Sequence, residues 1–253
     1  MHPVAPLLVV LSLAAAGSGR EDAVPAGVRE AVRRHLAAGR RLSAYSLLVE
    51  HYEEAGREVP AEVLRALREA QEEFLAGRGG EFELYRVRPG ETLWSIGRRW
   101  RVTPEFLMRV NGIADARRLA AGRRIRVVRG PFRAVVSLKA RRLRVYLGRA
   151  LVREYPVAVG APDSPTPTGR FAVRGKVRNP RYDRGKEHYA PGDPRNPAGS
   201  RWMRLAGSFG IHGTNEPRSV GKAVSDGCLR LRNAHVEELF DFLVTGSPVL
   251  VQP

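Results

Sequence analysis

Cys228 is the only cysteine in 253 residues. It lies in Ser225-Asp226-Gly227-Cys228-Leu229-Arg230, sixteen residues after the histidine of Ile211-His212-Gly213-Thr214. One thiol closes no intramolecular disulfide and makes no zinc cage, so it is either a buried filler or a nucleophile. A nucleophilic thiol reacts as the thiolate and needs a group to take its proton. His212 is the candidate base, since histidine titrates near neutrality and can hand the proton on to a leaving amine. Taken alone, His212 could equally be a packed strand residue. Gly227 lets a substrate approach the backbone closely, and the Gly227 and Cys228 N–H groups can face a developing oxyanion. Of the competing histidines, His188 falls in a long loop, and His235 opens the last helix and reads as structural.

The elements that must hold these residues are mostly strands. Phe132 to Leu138 and Leu143 to Leu147 are valine-rich and joined by a hairpin at Lys139-Ala140-Arg141-Arg142. Val152 to Val159 alternates, and Gly169 to Val173 follows the proline-rich turn Ser164-Pro165-Thr166-Pro167-Thr168. Asn179 to Arg201, rich in proline and glycine, reads as a long loop of the kind that either forms a functional lid or is disordered. Asn233 is expected to cap a helix running to Val244, before a final strand over Pro248 to Val251. Strands in series with one late helix predict a mainly antiparallel β fold.

Upstream, residues 84 to 128 form a compact βααβ pattern. Tyr85 to Arg88 is a short strand, Pro89-Gly90 turns it, and Thr92 caps a helix bearing Leu93, Ile96 and Trp100 on one face. Thr103-Pro104 opens a second helix, Asn111-Gly112 closes it, and Arg124 to Val128 returns as a strand. So small a core suits a binding module, and Trp94 and Trp100 are assigned to packing. Before it, periodic apolar residues (Val28, Val32, Leu36; Leu48, Tyr52; Val63, Leu67, Ala70) predict a small unit of two or three helices over residues 24–78. Its acidic face of Glu53, Glu54, Glu69, Glu72 and Glu73 could meet the basic remainder, but an ordinary solvated helix surface is the expectation, and His35 and His51 are expected to lie at the surface. The apolar run from Leu7 to Ala16 suits a secretory signal or retained anchor within residues 1–23, although no Lys or Arg precedes it. With no cysteine directly following that run, a lipoprotein anchor is not expected.

The net charge of +17 is uneven. Residues 1–83 carry 10 arginines against 13 acids, residues 84–130 carry 12 against 3, and residues 131–253 hold 21 basic residues against 10 acidic ones. The C-terminal parts therefore favour a polyanionic partner, nucleic acid or an anionic cell-wall polymer. Aromatics at 7% do not interleave with the basic residues as a base-stacking platform would, so nucleic acid is not expected. Arginine outnumbers lysine 39 to 4, a bias that can itself supply part of the charge.

Two resemblances follow from these motifs. Tyr85-Arg86-Val87-Arg88-Pro89-Gly90-Glu91-Thr92-Leu93-Trp94-Ser95-Ile96, Asn111-Gly112-Ile113 and Leu119 through Val127 together resemble a LysM domain, over residues 84–129. That resemblance implies binding of N-acetylglucosamine-containing glycan between Gly90, Glu91 and Thr92 on one side and Asn111, Gly112 and Ile113 on the other. Ile211 to Thr214, Gly221 and Ser225 to Arg230, supported by Pro165 to Phe171 and Gly192 to Gly199, are similar to the L,D-transpeptidase catalytic signature, over residues 131–253. Many members carry histidine where this chain has Asp226; the position acts mostly through its backbone, and a carboxylate there is expected to raise the thiol pKa somewhat. This second resemblance implies a β-sandwich-like domain and a two-step acyl transfer with no metal or organic cofactor. In it Cys228 is nucleophile, His212 base and acid, and Gly227 and Cys228 the oxyanion donors. Ser225 and Gly213 orient the base or thiol. Arg230, Thr214 and Asp226 fall on the substrate side, Arg230 either binding a substrate carboxylate or holding the loop. The expected partner is peptidoglycan, as glycan and stem peptide, which places the protein outside the cytoplasm in periplasm or cell wall. Water, another stem or a protein amine could receive the acyl group, and a non-catalytic wall-binding protein is the alternative of a different class.

Overall fold

A computed structural model describes residues 24–184 and 187–253, without the side chain of Arg184; the expected leader over 1–23 lies outside the described residues. The chain enters three helices, α1 (Ala26–Ala37), α2 (Arg41–Glu54) and α3 (Ala61–Leu75). Gly39 and Gly56 follow the first two at φ of 69° and 64°, the left-handed conformation in which helices commonly stop at glycine. Among the described residues, no helix is long and apolar enough to cross a membrane.

The βααβ unit comprises β1 (Glu83–Arg86), α4 (Leu93–Trp100), α5 (Pro104–Asn111) and β2 (Arg124–Val127), with β1 antiparallel to β2. Thr92 Oγ1 accepts from the Ser95 N–H at 3.1 Å while Ser95 Oγ accepts from the Thr92 N–H at 3.0 Å, a reciprocal cap on α4. Thr103 caps α5, with Pro104 at its first position and Gly112 at φ 58° closing it.

The third unit holds β3 (Phe132–Ser137), β4 (Arg142–Leu147), β5 (Ala150–Pro156), β6 (Val159–Gly160), β7 (Gly169–Ala172) and β8 (Gly175–Arg178). A hairpin of β9 (Tyr182–Arg184) and β10 (Glu187–Tyr189) is followed by β11 (Arg201–Ala206), β12 (Phe209–His212), β13 (Ala223–Ser225) and β14 (Leu229–Arg230). Helix α6 (Asn233–Phe242) and β15 (Pro248–Gln252) complete it. The strands form a five-stranded sheet, β5-β4-β3-β15-β7, and a four-stranded sheet, β14-β12-β11-β8. Pairing is mainly antiparallel, but β3–β15, β12–β14 and β6–β13 are parallel. Val136, Val145 and Val249 of the first sheet, Met203 and Ile211 of the second, and Val236 and Leu239 of α6 belong to one core.

Several boundaries differ from expectation for physical reasons. The run Val152 to Val159 is not one strand: Pro156, which has no N–H for a ladder, ends β5 before β6 begins. The segment read as a long loop contains the β9–β10 hairpin, whose short, mostly polar strands give no hydrophobic alternation. Asn233 is not a cap but the first residue of α6, and its Oδ1 accepts from the Ser200 and Thr214 N–H groups at 3.1 and 3.2 Å.

The acidic helical face is not simply solvated. Glu53 pairs with Arg144 at 2.6 Å and Glu72 with Arg153 at 2.8 Å, while Glu69 and Glu73 meet Arg41 within the helical unit. Buried contacts fix the docking more firmly than these half-exposed pairs, which are individually weak. The Leu151 N–H donates to Ser46 Oγ at 2.8 Å, and Gln71 Nε2 donates to the Leu151 carbonyl at 3.1 Å. Helices α2 and α3 thereby cover β5, the edge strand of the larger sheet, whose unpaired backbone would otherwise invite other strands. His35 and His51 are half-buried rather than at the surface, and His35 Nδ1 and His51 Nε2 are sealed from solvent.

All three units share a core. The Phe106 ring of α5 lies 5.9 Å from that of Phe74 in α3, 4.9 Å from Phe132 in β3 and 6.1 Å from Phe242 in α6. Arg109 of α5 pairs with Glu238 of α6 at 2.8 Å, and Tyr155 of β5 donates to the same carboxylate at 2.7 Å. Phe106→Ala should therefore destabilise the whole chain, by about 3–5 kcal/mol in chemical unfolding, through one cavity at the junction. Loss confined to the βααβ unit, seen as a separate early transition, would contradict a shared core.

Candidate active site

Strands β12 and β14 set the site. They pair in parallel, with Ile211 opposite Leu229 and His212 opposite Arg230, so Cys228 enters beside the strand that ends in His212. Leu229 is fully buried, while its neighbours Cys228 and Arg230 both line a cavity of about 560 Å³, as the alternating faces of a strand require. His212, Trp202, Asp226 and the hairpin residues Tyr182 and Asp183 line the same cavity.

His212 is 6% exposed, and its Nδ1 lies 2.6 Å from the Gly213 carbonyl oxygen. A carbonyl can only accept, so Nδ1 carries the proton and neutral His212 keeps a lone pair on Nε2. Trp202, its register partner on β11, stacks on the imidazole with centroids 5.0 Å apart and planes at 21°. Burial, with the nearby Arg230 guanidinium adding to it, pushes the His212 pKa down to about 4 despite the opposing backbone hydrogen bonds of Gly213 and Ala198. At neutral pH the ring is therefore uncharged, as a base must be. Cys228 is half-buried, and its thiol donates to the Ser208 carbonyl at 3.5 Å, in the turn between β11 and β12.

The turn before the thiol is braced from two sides. Ser225, 1% exposed, donates from Oγ to the Cys228 carbonyl at 2.6 Å. Thr166 Oγ1 accepts from the Gly160 N–H at 2.8 Å and donates to the Gly227 carbonyl at 2.9 Å. Gly227 itself stands at φ 93°, which a residue with a Cβ adopts only under strain. Thr166→Val leaves the half-buried Gly160 N–H and Gly227 carbonyl without that partner, a loss of about 1–3 kcal/mol in all. We expect it to lower stability on thermal unfolding and to slow thiol acylation, as the Gly227 turn is freed.

Asn233 braces the histidine side. A Cβ on Gly213 would fall 2.2 Å from Asn233 Oδ1, which already accepts from the Ser200 and Thr214 N–H groups, so only glycine fits there. Thr214 is 3% exposed and its Oγ1 accepts from the Glu216 N–H, which places it behind His212 and off the cavity wall. Asp226 and Arg230 are on the wall, 4.0 Å apart. The base of the hairpin is pinned by buried Asn196, which donates to the Pro180 carbonyl at 2.7 Å and accepts from the Ala198 N–H at 2.9 Å. His188 pairs with Asp183 on the exposed hairpin, and His235 packs against Tyr155. Among the described residues, no three His, Cys, Asp or Glu side chains are placed to hold a metal ion.

In the βααβ unit, several of the residues singled out for glycan use their side chains internally. Glu91 accepts from the Tyr85 hydroxyl at 2.7 Å and the Arg88 N–H at 2.9 Å, and pairs with Arg99. Thr92 caps α4, and Ile113 is 6% exposed. The Asn111 amide donates to the Leu107 and Arg126 carbonyls and accepts from the Arg126 N–H, tying α5 to β2. Gly90, at φ 76°, and Gly112 offer exposed backbone. Trp100 packs half-buried against the core, but Trp94 does not pack: it is 65% exposed, with Arg98 over its ring.

Two domain families match the chain. The L,D-transpeptidase catalytic domain family matches residues 131–251, and the LysM domain family matches residues 85–128. The chain is 37% identical over 178 residues to "Putative L,D-transpeptidase YkuD" of Bacillus licheniformis, covering 67% of this chain and 99% of that protein. It is 35% identical over 175 residues to the Bacillus subtilis protein of the same name, covering 66% of this chain and 97% of the relative. Among solved structures, an L,D-transpeptidase from Mycobacterium smegmatis aligns with a TM-score of 0.43 at 22% identity, over 53% of this chain and 65% of that one. Covering nearly the full length of two such relatives at 35–37% identity, the chain, whose one thiol and buried His212 line a single cavity, is a member of the YkuD L,D-transpeptidase family with a LysM domain ahead of the catalytic one.

Proposed function

We propose that the protein cross-links peptidoglycan stems by two-step acyl transfer through Cys228. The observation that carries this reading is the Nδ1–Gly213 hydrogen bond, which leaves His212 Nε2 unprotonated in the cavity that holds the thiol. Nε2 takes the thiol proton as sulfur attacks the carbonyl of the third stem residue. The oxyanion gathers on the Gly227 and Cys228 N–H groups, in the turn that Ser225 and Thr166 brace. Collapse of the tetrahedral adduct breaks the amide bond, His212 returns the proton to the departing D-alanine amine, and a thioester remains. A neighbouring stem's side-chain amine then attacks the thioester, its proton passes to His212 and on to sulfur, and a 3→3 cross-link forms with the thiol restored. Gly213 acts as the group that orients the base, and Asp226 and Arg230 as charged walls of the substrate cavity.

The LysM domain supplies the second half of the function. Binding glycan with one module makes the stem's encounter with the other intramolecular and raises its effective concentration. Because the units share a core through Phe106, the reach from glycan to thiol is fixed rather than tethered. Exposed Gly90, Gly112 and Trp94 present backbone and an aromatic face toward the sugar. Both substrates lie outside the cytoplasmic membrane, so the protein acts extracytoplasmically. The test is product analysis with disaccharide tetrapeptide, alone and with an acceptor stem. Cross-linked dimer with D-alanine release supports the proposal; tripeptide alone, with acceptor present, assigns the acyl group to water and overturns the transfer step.

A further inference from the structure

Trp202 lies on the face of β11 that the core does not use. Met203 and Leu205 point into the core, whereas Trp202 is half-buried and lines the reaction cavity. The strand registers set Val177, Trp202, His212 and Arg230 in one row across β8, β11, β12 and β14, and all four line that cavity, since side chains opposite one another in a ladder share a face. The indole fits in the row because Gly210 carries no side chain: a Cβ there would come within 3.2 Å of the indole carbons Cε2 and Cζ2. Its plane lies 21° from that of the imidazole, with centroids 5.0 Å apart. The hydrogen bond from Nδ1 to the Gly213 carbonyl holds one edge of the imidazole but leaves the ring free to tilt about that bond. An indole lying against the ring face removes that freedom.

We infer that Trp202 is a positioning residue for the base: its indole holds the plane of the His212 ring, aims Nε2 into the cavity and keeps water off the ring. The effect on rate rests on the acyl-transfer reading above; the effect on the imidazole does not. The titratable and charged groups that share the cavity with the ring are Cys228 and Arg230 of β14, Asp226 ahead of them, and Arg181, Tyr182 and Asp183 at the hairpin. Asp183 is itself paired with His188, and Arg201, next to Trp202, pairs with Glu237 of α6. Of these charges Arg230 is the one that bears on the His212 proton, and it acts in the same direction as burial. Substituting Trp202 alters none of them. An aromatic face by itself favours an imidazolium, but burial is the larger cause at His212, so removing the indole should ease protonation of the ring.

The experiment compares the native protein with Trp202→Ala and Trp202→Phe. It follows the His212 ring by NMR titration, assigned by its absence from His212→Gln, and measures kcat and KM for D-alanine release. The native ring should titrate near pH 4. In Trp202→Ala the midpoint should rise toward 6.5 by about one pH unit or more as water reaches the ring. At neutral pH its kcat should fall about 10- to 100-fold with KM little changed, the scale of a misplaced catalytic group. Trp202→Phe, which can still stack, should recover most of both effects. Should Trp202→Ala fail to fold, Trp202→Gln, of similar reach but unable to stack, carries the same expectation. An unchanged ring midpoint in the variant that cannot stack overturns the inference. So does a loss confined to KM, which would make Trp202 only a wall for substrate, or a phenylalanine variant as impaired as the alanine one. Absence of D-alanine release by the native protein would sink the acyl-transfer reading instead, and the ring titration would still decide this inference.

Discussion

Cys228→Ala is expected to reduce D-alanine release from a tetrapeptide stem by at least about 10⁴-fold, to background, because the variant has no group that can carry the acyl chain. The fold should tolerate it. Cys228 is half-buried on a cavity wall, and its carbonyl, which Ser225 holds, is unchanged by the substitution. A melting temperature near that of the native protein, measured alongside the lost activity, separates lost chemistry from lost structure. Carbapenem-type lactams should label the native protein once and the variant not at all. Residual turnover within tenfold of native would mean that another group attacks the stem.

His212→Gln is expected to lower kcat/KM by about 10²- to 10⁴-fold, the usual worth of a positioned general base. Glutamine fits beside Trp202 and can still donate to the Gly213 carbonyl, so the loss should lie in proton transfer and not in the cavity's shape. The pH dependence gives an independent mark. With its pKa pushed down to about 4 by burial, His212 remains a free base well below neutrality. The acid limb of native kcat/KM should therefore fall near pH 4, not near 6.5 where an exposed histidine titrates. Stability follows the same group. Below pH 6.5 the unfolded chain takes up a proton at this histidine that the folded chain refuses until about pH 4, so folding weakens as pH falls through that window. The loss is about 3 kcal/mol, complete near pH 4, and should be missing from His212→Gln in denaturant titrations. An acid limb near 6.5 with no such slope would show that the imidazole is solvated in solution.

That Cys228 and His212 face one cavity was legible because their residue types are rare and their spacing is short. One cysteine, a histidine sixteen residues ahead of it and glycine beside each leave little freedom in how strands can present them. The bracing residues were not legible. Thr166 reaches the Gly227 carbonyl across 61 positions, and Asn233 reaches the Thr214 N–H across 19, contacts that exist only once both sheets have formed. Trp202 could have been found: Gly207 marks a turn between two strand-like runs, and the antiparallel register around it puts Trp202 opposite His212. Trp94 was misread by type over spacing, since Leu93, Ile96 and Trp100 already define the buried stripe of α4 and position 94 falls about 100° off it. The helical unit's docking left only its charge asymmetry as a trace in sequence, through pairs such as Glu53–Arg144, because its buried partners, the N–H and carbonyl of Leu151, are backbone.

The central claim is that Cys228 carries the acyl group, and intact-protein mass spectrometry after incubation with a disaccharide tetrapeptide tests it most directly. A mass increase equal to the stem shortened by its terminal D-alanine, mapped to the Cys228 peptide and discharged by an added acceptor amine, is the predicted result. D-alanine release with Cys228 unmodified at every time point, or acylation mapped to another residue, would contradict it.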